Sequence, residues 1–182
     1  MSEDGLKVAP LAGRRIHGAP WSRAYSREVW RDLEFPEGFW FEDTVQRYCI
    51  DTRFRGRYVN RCLYRYRGNG DGISARCSKF KKGLDTFWVV EEMVCWCCEL
   101  GVEFDRGLFD QVLHQLGPLI RDRTAALDGR EKEALFVASC ELLDSIPEFA
   151  GMHASKGGRW DDLLLSLRSM NYRLWKLAVL AL

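Results

Sequence analysis

The chain has 182 residues, 47% apolar and 29% charged, enough for one domain or one lobe with a real core, and unlike a disordered tail, a disulfide miniprotein or a membrane bundle. With 27 Lys and Arg against 26 Asp and Glu the formal net charge is +1, so no global field favours nucleic acid or an anionic membrane, and any polyanion binding has to be local. Aromatic residues are abundant at 13%, the composition of a groove that stacks ligands or partners.

Residues 1–20 mix Gly, Pro and basic residues without a sustained period and read as an irregular arm. The opening Met-Ser-Glu-Asp-Gly lacks the basic and apolar regions of a signal peptide, and seven cysteines, an odd number, are scattered along the chain. The expectation is free thiols in a reducing cytosol. From Ser26 the pattern predicts a short helix with Ser26 as N-cap, closed by the turn Phe35-Pro36-Glu37-Gly38. A second helix should start near Glu42, with Val45, Tyr48, Cys49, Ile50 and Phe54 at roughly helical spacing and Gly56 placed to stop it.

Residues 57–67 alternate towards their end, Tyr64 and Tyr66 falling between Arg65 and Arg67, which predicts a strand or two short strands; Gly68 to Gly72 then forces a loop. The remainder reads as helices over 78–100, over 105–116 with a break at Gly117-Pro118, over 131–146 with a stop at Pro147, and over 161–182 with Asp161 near the cap; 151–158 is loop-like. The longest apolar run, at 177–182, is far below the roughly 20 residues that cross a bilayer. The expected fold class is therefore α+β and mostly helical: a short β segment in residues 1–76 and a helical C-terminal region in residues 77–182. No successive βα units and no Gly-rich phosphate loop at a strand-to-helix junction stand in the sequence, so a nucleotide-binding sheet is missing.

Glu42 and Asp43 open a helix directly after the aromatic run Phe39-Trp40-Phe41. A helix N-terminus favours ionised carboxylate, so one acid can accept a proton from a hydroxyl held nearby; simple capping is the commoner role of acids in a first helical turn, and the pair alone does not mark a site. Cys95-Trp-Cys-Cys98 has a C-x-x-C spacing, but it lies late in a predicted helix, no second Cys/His pair completes a zinc site, and small buried helix cysteines are the expectation. His17, His114 and His153 are isolated from one another, and no metal ligand set is assigned. Arg53 to Arg67 interleave with Phe54, Tyr58, Tyr64 and Tyr66; the neutral total charge and the lack of an RNA-binding motif argue against nucleic acid and for a solvated strand face or sugar-nucleotide phosphates.

Trp21-Ser-Arg-Ala-Tyr-Ser-Arg-Glu-Val-Trp30, Phe35-Pro-Glu-Gly38, Glu42-Asp43-Thr44, Leu63-Tyr-Arg-Tyr-Arg67 and Gly72-Ile-Ser74 resemble, in order and spacing, the C-terminal half of bacterial family 2 glycosyltransferases with the GT-A fold. The resemblance implies an inverting transfer of a sugar from a nucleotide-sugar donor to an acceptor hydroxyl, on a glycan or another alcohol. Asp43 is then the general base and Glu42 its positioning neighbour. Trp21 and Arg23 make acceptor or diphosphate contacts, and Arg67 beside Ser74 stabilises the leaving nucleoside diphosphate. The family's nucleotide-binding half, with the Asp-x-Asp motif that holds Mn or Mg, should precede Trp21, and only 20 residues do. The expectation is a lobe without a cofactor of its own, whose donor half comes from a protein partner or a second copy. It is placed in the cytoplasm or peripherally at the inner face of the membrane, with no transmembrane segment. The alternative is a non-catalytic helical interaction module derived from such an enzyme. A cleft holding Trp21, Asp43 and Arg67 marks the first; an exposed Trp/Phe groove after Trp88 marks the second.

Overall fold

The computed structural model describes residues 8–10, 23–54, 57–59, 63–65, 67–68 and 79–182 and is mostly helical. Strand β1 (Val8–Pro10) pairs antiparallel with β2 (Arg57–Val59), Val8 opposite Val59 and Pro10 opposite Arg57. Part of the expected irregular arm is thus a strand. Three residues are too few to show a period of two, and Pro10 is tolerated because a two-stranded ribbon has only edges. Of the strand expected over 57–67, β2 covers the first three residues; among the described residues beyond it, Leu63, Tyr64, Arg65 and Arg67 are exposed and in no strand.

Ser26 opens one 3-10 turn, Arg27–Arg31, its Oγ accepting from the Glu28 N–H at 3.3 Å. Helix α1 (Asp43–Arg53) buries Val45, Cys49 and Ile50 against α2 (Lys79–Glu99), whose Val89, Val90, Met93 and Cys97 face them at helical spacing. The Cys49 and Cys97 sulfurs lie 3.8 Å apart in this seam. The buried Asp85 of α2 accepts from the Trp40 N–H at 2.9 Å and ties down the chain just before α1.

Helix α3 (Arg106–His114) is capped by Asp105, which accepts from the Leu108 N–H at 2.8 Å and from the Tyr48 hydroxyl of α1 at 3.1 Å. The expected break at Gly117-Pro118 does not occur. The chain widens into one π turn, Gln115–Leu119, and continues as α4 (Ile120–Arg123). Proline lacks the N–H of a regular turn and its ring collides with the carbonyl four residues back; the wider turn removes both conflicts. Helix α5 (Gly129–Asp144) starts two residues earlier than the apolar pattern suggested, because Asp128 and Glu131 form a capping box: Asp128 Oδ1 accepts from the Glu131 N–H at 2.9 Å and Glu131 Oε2 from the Asp128 N–H at 2.8 Å.

The single C-terminal helix expected over 161–182 is two helices, α6 (Arg159–Arg168) and α7 (Tyr172–Leu180). Met170 takes a positive φ of 49° between them, and Asn171 caps α7 by accepting from the Leu174 N–H at 3.0 Å. Arg159 Nη1 donates to the Ala181 carbonyl at 2.6 Å, so the pair runs antiparallel. Folding back buries Trp175, Ala178 and Val179, which one straight helix would carry away from the core. A continuous apolar cluster runs from Val29 and Leu33 through α1, α2, α3 and α5 to Val179. Residues on both sides of position 76 therefore share one core, while that boundary itself lies outside the described residues.

The π turn packs against α6 at Gly117, where an added methyl would collide with the Leu163 side chain. Gly117→Ala is expected to destabilise the protein by about 1–3 kcal/mol in urea denaturation. Gly129→Ala, with open space at its Cβ, serves as the control and should leave the midpoint unchanged or slightly higher.

Candidate functional site

The first turn of α1 lacks the side-chain cap that four other helical starts carry. Ser26, Asp105, Asp128 and Asn171 each spend a side-chain oxygen on a backbone N–H of the turn they open. Glu42, at the same position before α1, has helical backbone angles and makes no side-chain cap hydrogen bond. Capping therefore does not account for Glu42. The preceding Phe41 sits at φ 68°, a left-handed conformation that a bulky aromatic residue rarely takes and that costs about 1–3 kcal/mol.

What Phe41 gains in that conformation is a guanidinium. Arg123 Cζ, at the end of α4, lies 3.5 Å from the centroid of the Phe41 ring. Desolvation pushes the half-buried Arg123 down to about 10 against the opposing pull of Asp43 and then Asp122. Asp122 is itself paired with Arg121 at 2.7 Å. On the other side Arg123 Nη1 reaches Gln115 Oε1 at 3.5 Å, a long and weak contact to a buried amide that opens the π turn. A strained Phe41, a desolvated Arg123 and a π turn thus meet beside Asp43. Each is unfavourable alone, and such features gather at functional sites.

The sequence-based site residues fall as follows. Glu42 and Asp43 are adjacent and half-buried at the head of α1. Arg23 is half-buried in the segment before Ser26, and Arg67 is exposed. Trp21 and Ser74 lie outside the described residues. The cation that the structure sets beside Asp43 is Arg123, eighty positions away, which sequence reasoning missed. Arg121-Asp122-Arg123 reads as a solvated charge run at a helix end, and only the awkward Gly117-Pro118 just before it hints at an irregular helix.

The C-x-x-C stretch needs a correction. Cys97 is buried, but Cys95 and Cys98 are exposed, because only Cys97 falls on the α2 face that carries Val90 and Met93 inward. Its bond to Cys49 and then burial push the Cys97 thiol up, and burial with the nearby Glu92, Glu91 and Glu99 pushes up that of Cys95. Among the described residues no group of three His, Cys, Asp or Glu is placed to hold a metal ion. Aromatic surface is present elsewhere: Trp88 is 46% exposed on α2, with Phe39 edge-on at 6.1 Å. No family model, curated protein or solved structure matches the chain.

Two outcomes are expected. In the native protein a maleimide should label Cys95 and Cys98 while Cys49 and Cys97 stay unlabelled until denaturant is added; peptide mapping distinguishes them. Arg123 is a base whose value is lowered on folding, so its charge opposes folding below about pH 10 and ceases to as the proton leaves above that. Arg123→Met keeps the stem over Phe41, and its urea midpoint at neutral pH should equal or exceed that of the wild type. The wild type should then gain on the variant as pH rises through about 10.

Proposed function

We propose that this chain is the acceptor-side lobe of an inverting, family 2-like glycosyltransferase, with Asp43 as general base. The carrying observation is the head of α1, where Glu42 is not used for capping and a strained Phe41 brings the Arg123 guanidinium beside Asp43. An alcohol is a poor nucleophile until its proton has somewhere to go. In this reading the acceptor O–H gives its proton to Asp43 as its oxygen attacks the anomeric carbon, and the bond from that carbon to the nucleoside diphosphate breaks on the opposite face. Arg123 pairs with the carboxylate and aims it, while Glu42 positions the acceptor or the backbone. Trp21, Arg23, Arg67 and Ser74 remain proposed contacts to acceptor and diphosphate. The donor half, with any Mn or Mg, comes from a protein partner or another copy.

One observation favours a second reading, a protein-interaction module. Trp88, exposed on α2, with the half-buried Phe39 from the segment before α1 edge-on against it, forms an aromatic surface that the proposed chemistry does not use.

Ligand-observed NMR on the purified chain separates the two. Free saccharides should bind, weakened by Asp43→Asn, while nucleotide sugars with or without manganese should not. In an assembly that restores the donor half, Asp43→Asn should lower transfer by about 100- to 10,000-fold with folding intact, since the shape is kept and the proton acceptor lost. Transfer that survives the substitution rejects Asp43 as base. A chain blind to saccharides that instead holds a protein through Trp88 establishes the interaction module.

A further inference from the structure

The near-neutral total charge hides a local asymmetry. Residues 163–182 carry Arg168, Arg173 and Lys176 and no acid, so every Asp and Glu of the chain precedes them. Four of the large apolar side chains left exposed among the described residues fall in the same stretch: Leu165, Met170, Leu177 and Leu180, with the last two 67% and 74% exposed. The geometry of α7 explains how they come together. Trp175, Ala178 and Val179 face the core, and the Trp175 indole N–H donates to the Leu116 carbonyl at 3.3 Å. Arg173, Lys176, Leu177 and Leu180, at i, i+3, i+4 and i+7, are therefore left on the outer face. Met170 is exposed in the turn where α7 begins, next to Arg168 at the end of α6. The last acids before this stretch, Asp161 and Asp162, sit in the first turn of α6, at the Leu180 end of the antiparallel pair and away from Met170, and Glu133 of α5 lies near Tyr172.

We propose that the outer face of α7, with the turn at Met170, docks on the surface of an anionic lipid bilayer. Leu177, Leu180 and Met170 enter the boundary between headgroups and acyl chains, and Arg168, Arg173 and Lys176 meet the lipid phosphates. The charge pattern selects this occupant. Cations interleaved with long apolar side chains, and no acid among them, complement a sheet of negative headgroups over an apolar layer. A second copy of the same face would set cation against cation. With few leucines and three cations the attachment is weak and reversible. No helix among the described residues is long and apolar enough to cross the membrane.

The test is co-sedimentation of the full chain with phosphatidylcholine vesicles, with and without phosphatidylglycerol, at low and high salt. Binding is expected only to the anionic vesicles and should be lost at high salt. Leu177→Asp with Leu180→Asp should weaken it by about tenfold or more, from the loss of apolar burial, and Lys176→Glu by about fivefold or more. All three side chains are exposed, so near-ultraviolet circular dichroism should show the fold unchanged. Asp43→Asn, far from this face in sequence, should bind as the wild type does. Equal binding to neutral vesicles, no binding at all, or variants that bind like the wild type would overturn the proposal. So would a dimer in sedimentation velocity that Leu177→Asp dissolves.

Discussion

Pro118 stands inside a helix, and the arrangement of the C-terminal two-thirds depends on how the chain accommodates it. The answer is an extra residue in one turn, Gln115–Leu119. One inserted residue rotates everything that follows by about 100° relative to a regular helix. That rotation decides which way Arg123 points, and so whether a guanidinium reaches the Phe41 ring. The same turn exposes the bare backbone of Gly117 to Leu163 and presents the Leu116 carbonyl to Trp175, which seats α6 and α7. A single backbone conflict thus fixes a packing contact, a hydrogen bond and a charge.

The candidate site joins parts of the chain that belong to different sequence segments. Asp43 opens α1, whereas Arg123 closes a helical run eighty positions later, and both are held by packing that has nothing to do with either charge. Tyr48 reaches across to the cap of α3, and Asp85 fixes the backbone of Trp40. Rigid support of this kind is what a strained and partly desolvated site needs, because Phe41 and Arg123 would each relax if their neighbours gave way.

Local chemistry made much of the helical layout legible. Ser26, the acids at the head of α1 and the apolar spacing of 78–100 and 105–116 all marked helices that exist, and Pro147 does follow the end of α5. What was hidden depended on contacts distant in sequence or on exceptions to a propensity. The split after Arg168 could have been read from Asn171, a cap residue, but a continuous apolar pattern concealed it. Pro118 looked like a terminator because a regular helix excludes it. Strand β1 is too short to carry a pattern of its own and is defined by its partner. In the site, the acidic pair was visible as a motif, whereas Arg123 acquires its role only from the fold.

The pairing of β1 with β2 has a consequence for the order in which the molecule assembles. Val8 and Val59 are 51 positions apart (59 minus 8), whereas α6 and α7 are joined by the three residues between Arg168 and Tyr172. Closing the long loop sacrifices more chain entropy and returns only a three-residue ladder, so the ribbon forms after the helices have drawn its ends together. The ribbon is then also the first element to open, a seal on the finished fold rather than part of its nucleus.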